Sequence, residues 1–336
     1  MKGFKRFIGL ACLIVFVGLM TFGGGPVQSA EFTLRYAGNL PLTHHVTRGQ
    51  ELLANLIEQQ TSSRVKVLVY PAGQLFADKD MMKALPSGAV EMGTVTLSQW
   101  SGVVPGLMLL DLPFFFNDRH QVWRAVDGEA GEILKKEFEK VGIKLLYYMD
   151  WGSVDLISKE PIRTLEDFKG KRLRVYGELL AEWLKAFGAA PTFLGGGEIY
   201  MALQRGTVDG AITGNTNSWE RKFYEVAKYI THVEHSFATF GVLMNLKKWN
   251  ELPPDIQKVF LDCSKEAQEW GRKEAEKADR EVIGLLKTKG VEVYTVPEKE
   301  KERWRKVAIK PSIDVFLKRT GEKGKVLLEM TEKMMH

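Results

Sequence analysis

Arg174 is the residue in this chain best suited to hold a ligand. It lies in Lys-Arg-Leu-Arg-Val-Tyr, residues 171–176, where Leu173 and Val175 alternate with Arg172, Arg174 and Tyr176. That alternation is strand spacing. An arginine on a strand is more often solvated or salt-bridged. Here position argues otherwise. Arg174 and Tyr176 lie near the carboxyl end of the strand, and in open parallel sheets ligands sit beyond those ends. A guanidinium also carries a planar fork of donors matched to a carboxylate. Thr213 and Asn215 lie near a second strand end, in Thr-Val-Asp-Gly-Ala-Ile-Thr-Gly-Asn. Trp100 and Trp151 follow two further predicted strands, where large aromatics either fill a core or line a cleft. Asn39 and His45, from the loop Asn-Leu-Pro-Leu-Thr-His-His, complete the candidate substrate-binding residues.

The elements that position Arg174 read as β-α-β-α-β. Leu179, Leu180, Trp183, Leu184 and Phe187 recur at helical spacing after the strand. Pro191 to Leu194 is a short second strand, Gly195 to Gly197 turn the chain, and Ile199, Ala202 and Leu203 mark a second helix. Val208 to Ile212 returns to strand. This order predicts a parallel sheet with right-handed crossovers. The three glycines could instead cradle an anion at a helix N-terminus, but a plain turn is the simpler reading. Upstream, strands at Phe32, Val65, Thr94 and Lys144 alternate with helices at Arg48–Gln60, Asp78–Ala84 and Val122–Val141, which predicts a second β/α set with its own sheet. No low-complexity linker separates the halves, so several strand crossings are expected to join them.

Asp255 to Lys289 reads as one long helix, opened by Pro253-Pro254 and closed by Gly290. About 34 helical residues span about 50 Å. Its apolar stripe runs from Ile256 to Trp270, fades through Arg272 to Glu281 and resumes at Val282. A helix that leaves one core, crosses solvent and enters another has this pattern. It is expected to bridge two lobes.

Other chemistry is scarce. There is no Gly-x-Ser-x-Gly elbow, no His-Glu-x-x-His and no Cys-x-x-Cys. His232-Val-Glu-His235 has chelating spacing but reads as a loop between a helix and a strand. No catalytic, metal or cofactor motif is found. The net charge of +5 is concentrated at the start: Lys2, Lys5 and Arg6 precede the first acidic residue, Glu31. Without them, 44 basic residues face 42 acidic, so a nucleic-acid partner is not expected. Residues 1–30 read as a cleaved signal peptide. The basic start leads into an apolar run from Phe7 to Phe22, shorter than the roughly 20 residues of a membrane span, and then into small residues ending at Ser29-Ala30. The exported chain keeps one cysteine, Cys263, and so has no internal disulfide.

Several segments together resemble the periplasmic solute-binding proteins of tripartite ATP-independent periplasmic (TRAP) transporters, the dicarboxylate-binding-protein family. They include Tyr70-Pro-Ala-Gly-Gln-Leu, Leu112-Pro-Phe-Phe-Phe, Phe168-Lys-Gly-Lys-Arg-Leu-Arg-Val and Gly197-Glu-Ile-Tyr-Met-Ala-Leu-Gln-Arg-Gly-Thr-Val-Asp-Gly. The resemblance runs from about residue 32 to residue 325. It implies two α/β lobes, each a mixed, mostly parallel sheet flanked by helices, with a ligand cleft between them and a helix bridging both. Residues 31–151 and 240–277 would form lobe I, and residues 152–239 and 278–336 lobe II. It implies capture of a small organic acid, a carboxylate or a sulfonate, and delivery to a TRAP membrane permease, without catalysis. It also implies that Arg174 pairs with the ligand carboxylate. The second arginine of many members is replaced by the stretch Ser153-Val154-Asp155, and Thr213 stands where many carry asparagine. These departures favour a ligand with one strong anionic group. The alternative is an exported lyase or hydrolase using the same cleft, for which His44, His45 and Asp150 are the only candidates and lack recognisable partners.

Overall fold

The structure, a computed structural model, describes residues 30–335, so the expected export signal lies almost wholly outside the described residues. Strand β1 (Phe32–Ala37) buries Leu34 and Tyr36 and turns Thr33 and Arg35 outward, as its alternation dictates. Helix α1 (His45–Gln60) begins one turn earlier than expected, because the His44 side chain accepts the Val46 N–H at 3.2 Å and caps it. Strand β2 (Val65–Tyr70), helix α2 (Asp78–Ser87) and strand β3 (Met92–Thr96) follow, and both strands run parallel to β1.

The helix expected over Val122–Val141 is two helices, α3 (Arg119–Asp127) and α4 (Glu129–Lys140). Asp118 caps the first through the Gln121 N–H, and Gly128 between them is extended. Gly131 lets α4 press on the end of α3, since a side chain there would overlap the Val126 carbonyl.

Strand β4 (Ile143–Ser158) leads to β5 (Arg172–Val175), α5 (Glu178–Ala186), β6 (Ala190–Phe193), α6 (Ile199–Gln204) and β7 (Gly210–Gly214). Strand β5 runs parallel to both β6 and β7, as the β-α-β-α-β pattern requires. Helix α7 (Asn215–Glu220) precedes β8 (Tyr229–Asn245), and α8 (Leu246–Glu251) follows it.

The two halves do not have separate sheets. One nine-stranded sheet has the order β2-β1-β3-β8-β4-β7-β5-β6, with strand β9 (Glu292–Thr295) paired to β8 off that path. Continuity comes from β4 and β8, which pair antiparallel along nearly their whole lengths. The far half of β8 (residues 240–244) pairs with β3, and its near half (229–232) with β9. The far half of β4 (154–158) takes β7. The register of this shared ribbon shifts between Asp150 and Gly152 and again between Val154 and Leu156.

The segment His232–His235 is therefore inside a strand, not in a loop. The polar residues obscure its alternation, and Glu234 at φ 49° kinks the strand. His232 Nδ1 bonds the buried Asp155 carboxylate at 2.6 Å, while His235 is buried against Trp183 at 5.1 Å between ring centroids. Among the described residues no group of His, Cys, Asp and Glu could hold a metal ion. The Asp155 hydrogen bond holds His232 up to about 9, well above the ordinary imidazole value. The folded protein thus keeps this proton as pH rises past the unfolded value near 6.5, and the unfolded chain does not. Stability from this pair is full below about pH 6.5 and is lost as pH rises toward 9, on the order of 2–3 kcal/mol. Urea unfolding of the wild type should show that decline between pH 6.5 and 9, and His232→Gln should remove most of it.

Helix α9 (Pro254–Thr288) is the expected long helix, 35 residues in one piece. It packs on α1 and β4 early and on α7 and β9 later, joining both halves. Its charged middle does not cross solvent. Gly271 and Ala275 are buried there, and a side chain at 271 would collide with the Met149 sulfur. Asp279 turns inward to accept the Ser153 N–H at 2.8 Å and to pair with Arg119. Small residues and paired ions replace the apolar stripe. Helices α10 (Glu298–Thr320) and α11 (Glu322–Met335) end the chain. The first packs on α5, and the second sets Leu327 and Leu328 into the core with Leu134 and Phe138. No described helix is long and apolar enough to cross a membrane.

Candidate functional site

The site lies where β4 changes register. A small buried cavity of about 20 Å³ is lined by Trp151, Arg174, Tyr176, Asn217, Arg221 and Phe240. A cleft of about 860 Å³ lies over it, and both spaces are bounded by Asn39, Asp78, Gln99, Tyr176, Gly196 and Arg221. The cavity is thus the floor of the cleft.

Arg174 is 3% exposed and is held from behind. Its Nε donates to the Leu194 carbonyl and its Nη1 to the Ile212 carbonyl, each at 2.9 Å. Leu194 directly follows β6 and Ile212 is the middle residue of β7, the two strands that flank β5, so the sheet itself aims the fork. Two of its five N–H groups are used in this way. The guanidinium carbon lies 5.2 Å from the Tyr176 ring centroid, within cation–π range. Burial pulls Arg174 down to about 10, with Tyr176 and Asp78 opposing, so it is still charged at neutral pH. Among the described residues Arg174 has no salt bridge.

Trp151 stands edge-on to Tyr176 at 5.9 Å and tilted on Phe240 at 5.3 Å. Gly214 makes room for it, because a Cβ there would sit 3.3 Å from the indole. The Trp151 Nε1, the Tyr176 hydroxyl and the Asn39 Oδ1 are buried and make no hydrogen bond within the protein. A buried polar atom left so costs about 1–3 kcal/mol. Three of them around one space mark a surface that a polar ligand would satisfy.

Asp78 and Arg221 complete the floor. Asp78 opens α2, accepts the Asn39 side-chain amide, and draws on Gln99 and the Gly196 N–H. Burial raises its pKa above the ordinary carboxylate value, against the pull of Arg174 and Arg221. Arg221 donates from Nη2 to the Asn39 carbonyl at 2.6 Å and from Nε to Asn217 Oδ1 at 2.9 Å. Burial lowers it, and Asp78 opposes that shift. Two guanidinium groups therefore face one carboxylate. The Gly195–Gly197 turn has no anion cradle to offer: Glu198 takes the Gly195 N–H at 2.7 Å, and Asp78 draws on Gly196.

Residues 36–319 match the bacterial extracellular solute-binding protein family 7, known as DctP. The chain belongs to that family. It is similar to the C4-dicarboxylate-binding periplasmic protein DctP of Rhodobacter capsulatus, at 29% identity over 82% of this chain and 83% of the relative. A TRAP periplasmic solute-binding protein from Sulfurospirillum deleyianum, solved with bound succinate, aligns at a TM-score of 0.84 with 31% identity, covering 90% of this chain and 99% of that one. One from Desulfovibrio salexigens, solved with bound orotic acid, aligns at 0.87 with 28% identity, covering 90% and 98%. The two-lobed fold and the TRAP solute-binding role expected from sequence stand on these likenesses. A DctP-family protein is a receptor and not an enzyme, which removes the lyase or hydrolase alternative.

Of the eight residues singled out from the sequence of this DctP-family protein, Arg174, Trp151, Tyr176 and Asn39 meet at the cavity. The other four lie outside its lining. Trp100 is buried against Phe138 at 5.6 Å, while its neighbours Ser98, Gln99 and Ser101 line the cleft. His45 packs under α1 with Nε2 on the Asp150 carbonyl at 3.0 Å, and burial pushes it down to about 4. Thr213 accepts the Asn217 amide at 3.0 Å. Asn215 donates to Asp155 at 2.6 Å, tying α7 to β4. Asp78, Gln99, Asn217, Arg221 and Phe240 were not singled out. Asp78 reads only as a helix start, and nothing in Glu220-Arg221-Lys222 separates Arg221 from a surface charge.

Proposed function

We propose that this protein captures a small organic acid through one carboxylate, or a sulfonate in its place, at Arg174, and carries it to a TRAP-type permease. The observation that carries the reading is a buried guanidinium, fixed by two carbonyl oxygens, with no salt bridge among the described residues. An anion that forks onto it would gain a water-excluded pair. Arg221 already shares its floor with Asp78, so one positive charge is left over. The stretch Ser153–Asp155, which offers no arginine, is occupied: Asp279 takes the Ser153 N–H, and Asp155 holds His232. This supports a ligand with a single strong anionic group. Succinate, orotic acid and β-D-galacturonate, bound in the similar structures, are all carboxylates and support an organic acid; succinate carries two carboxylates, the other two one each.

The division into lobes follows the shared ribbon. Residues 31–151 with 240–277 form one lobe, and residues 152–239 with 278–320 the other. Helix α11 joins the first, because Leu327 and Leu328 pack there. Residues 1–30 are removed on export to the periplasm. Intact-mass measurement of the periplasmic protein should give a chain starting near Ala30 or Glu31. A full-length chain in the inner membrane would refute this.

A thermal-shift screen of organic acids and neutral sugars tests the site. A true ligand at 100 times its Kd adds about 2.7 kcal/mol to stability. An acid should produce that shift, and Arg174→Ala should abolish it. A shift from neutral sugars alone would overturn the reading.

A further inference from the structure

The floor of the cleft is charged and its outer part is not built the same way. Away from the shared floor the apolar walls are Ala72, Ala77, Met82, Phe193 and Leu194, with Ser98 and Ser101 also lining the cleft. Phe193 is 61% exposed although it is a large apolar side chain at the end of edge strand β6. The Leu194 carbonyl next to it is the group that fixes Arg174 Nε. A ligand with its head at Arg174 and a body long enough to rise from the floor into the cleft reaches the rim that Phe193 and Leu194 line. The charged side chains lining this outer part are Lys79, Glu178 and Glu198, and the two carboxylates are already engaged, Glu178 with Arg319 at 3.7 Å and Glu198 with the Gly195 N–H at 2.7 Å. Among the described residues, no cation of this outer part stands free to pair a second ligand carboxylate except Lys79. The volume of about 860 Å³ is in the range that holds a drug-sized ligand, and a four-carbon diacid would leave most of it to water.

We infer that the ligand is a monocarboxylate with an apolar body of aryl or medium acyl size, which lies on the wall formed by Met82, Phe193 and Leu194. This rests on the organic-acid reading of the cleft. Burying a phenyl group on that wall removes apolar area from water on both partners, which is a larger gain than a diacid can draw from it.

Calorimetry on the mature protein tests this, with 3-phenylpropanoate, hexanoate and succinate as probes. The phenyl acid should bind at least about tenfold more tightly than succinate, with hexanoate between them. Phe193→Ala should weaken the phenyl acid about tenfold, and Phe193→Leu should recover most of that loss. Phe193 is too exposed for either change to threaten folding. Succinate binding as tightly as the phenyl acid, and lost in Arg174→Ala, would overturn the inference and leave the organic-acid reading standing. Unchanged affinity in Phe193→Ala would also overturn it. Binding of none of the three acids, with a neutral solute bound instead, would overturn both.

Discussion

Arg174→Ala should weaken binding of the acid found by screening by at least about a hundredfold. The guanidinium is buried, and the sheet has already spent two of its N–H groups on the Leu194 and Ile212 carbonyls. The side chain is therefore fixed before the ligand arrives, and little further ordering opposes binding. Arg174 is 3% exposed, so a pair formed on it is screened less than one at the surface. Removing one partner of such a pair leaves the other charge buried and unpaired, at roughly 3–5 kcal/mol. At about 1.4 kcal/mol per decade this is a hundredfold or more. Arg174→Lys keeps the charge and loses the fork, and so should fall between wild type and alanine. Calorimetry on all three proteins decides it. Affinity in Arg174→Ala within about threefold of wild type would move the anchor to Arg221, the other guanidinium of the floor.

The second large effect is on stability. Asp155 is 1% exposed, yet it accepts four hydrogen bonds from two segments. They come from Asn215 at 2.6 Å, His232 at 2.6 Å, and the Val233 and Glu234 backbone at 2.8 and 3.0 Å. Burial would raise its pKa, but these partners, His232 foremost, hold it below the ordinary carboxylate value. Asp155→Ala would leave two backbone N–H groups and a histidine side chain unmatched where β4 and β8 both bend. The expected loss is about 3–5 kcal/mol in urea unfolding. Asp155→Asn, which keeps one carbonyl oxygen, should lose less. A loss below about 1 kcal/mol in the alanine variant would mean that the bend is held by packing alone.

Local signals carried most of the fold. The period change from Leu173 to Ile212 is visible because each element there is short and bounded by Gly or Pro, and the chain folds it as written. Helix α9 was legible from its length and caps, but its middle was misread. A glycine and an alanine that pack against Met149 look, in sequence, like the absence of a stripe. The β4–β8 ribbon was not legible as such. Asp150, Asp155, His232 and Glu234 interrupt its apolar alternation, and their reason for being there is a three-dimensional one. The site divides in the same way. Arg174 and Tyr176 announce themselves by standing near the end of β5; Trp151, expected after a strand, lies in the middle of β4, at its register shift. Asp78 and Arg221 come from helix termini more than a hundred residues apart, and only the fold brings them to one floor.

The shared ribbon also bears on how the molecule comes apart. Multidomain chains often lose their domains one at a time, since a tether lets each unfold alone. Here β4 and β8 are central strands of both lobes at once, one half of each strand serving each side. Melting either lobe strips the other of its two middle strands. The two halves are therefore expected to unfold as one cooperative unit, so that neither exposes half a core while the other stays folded.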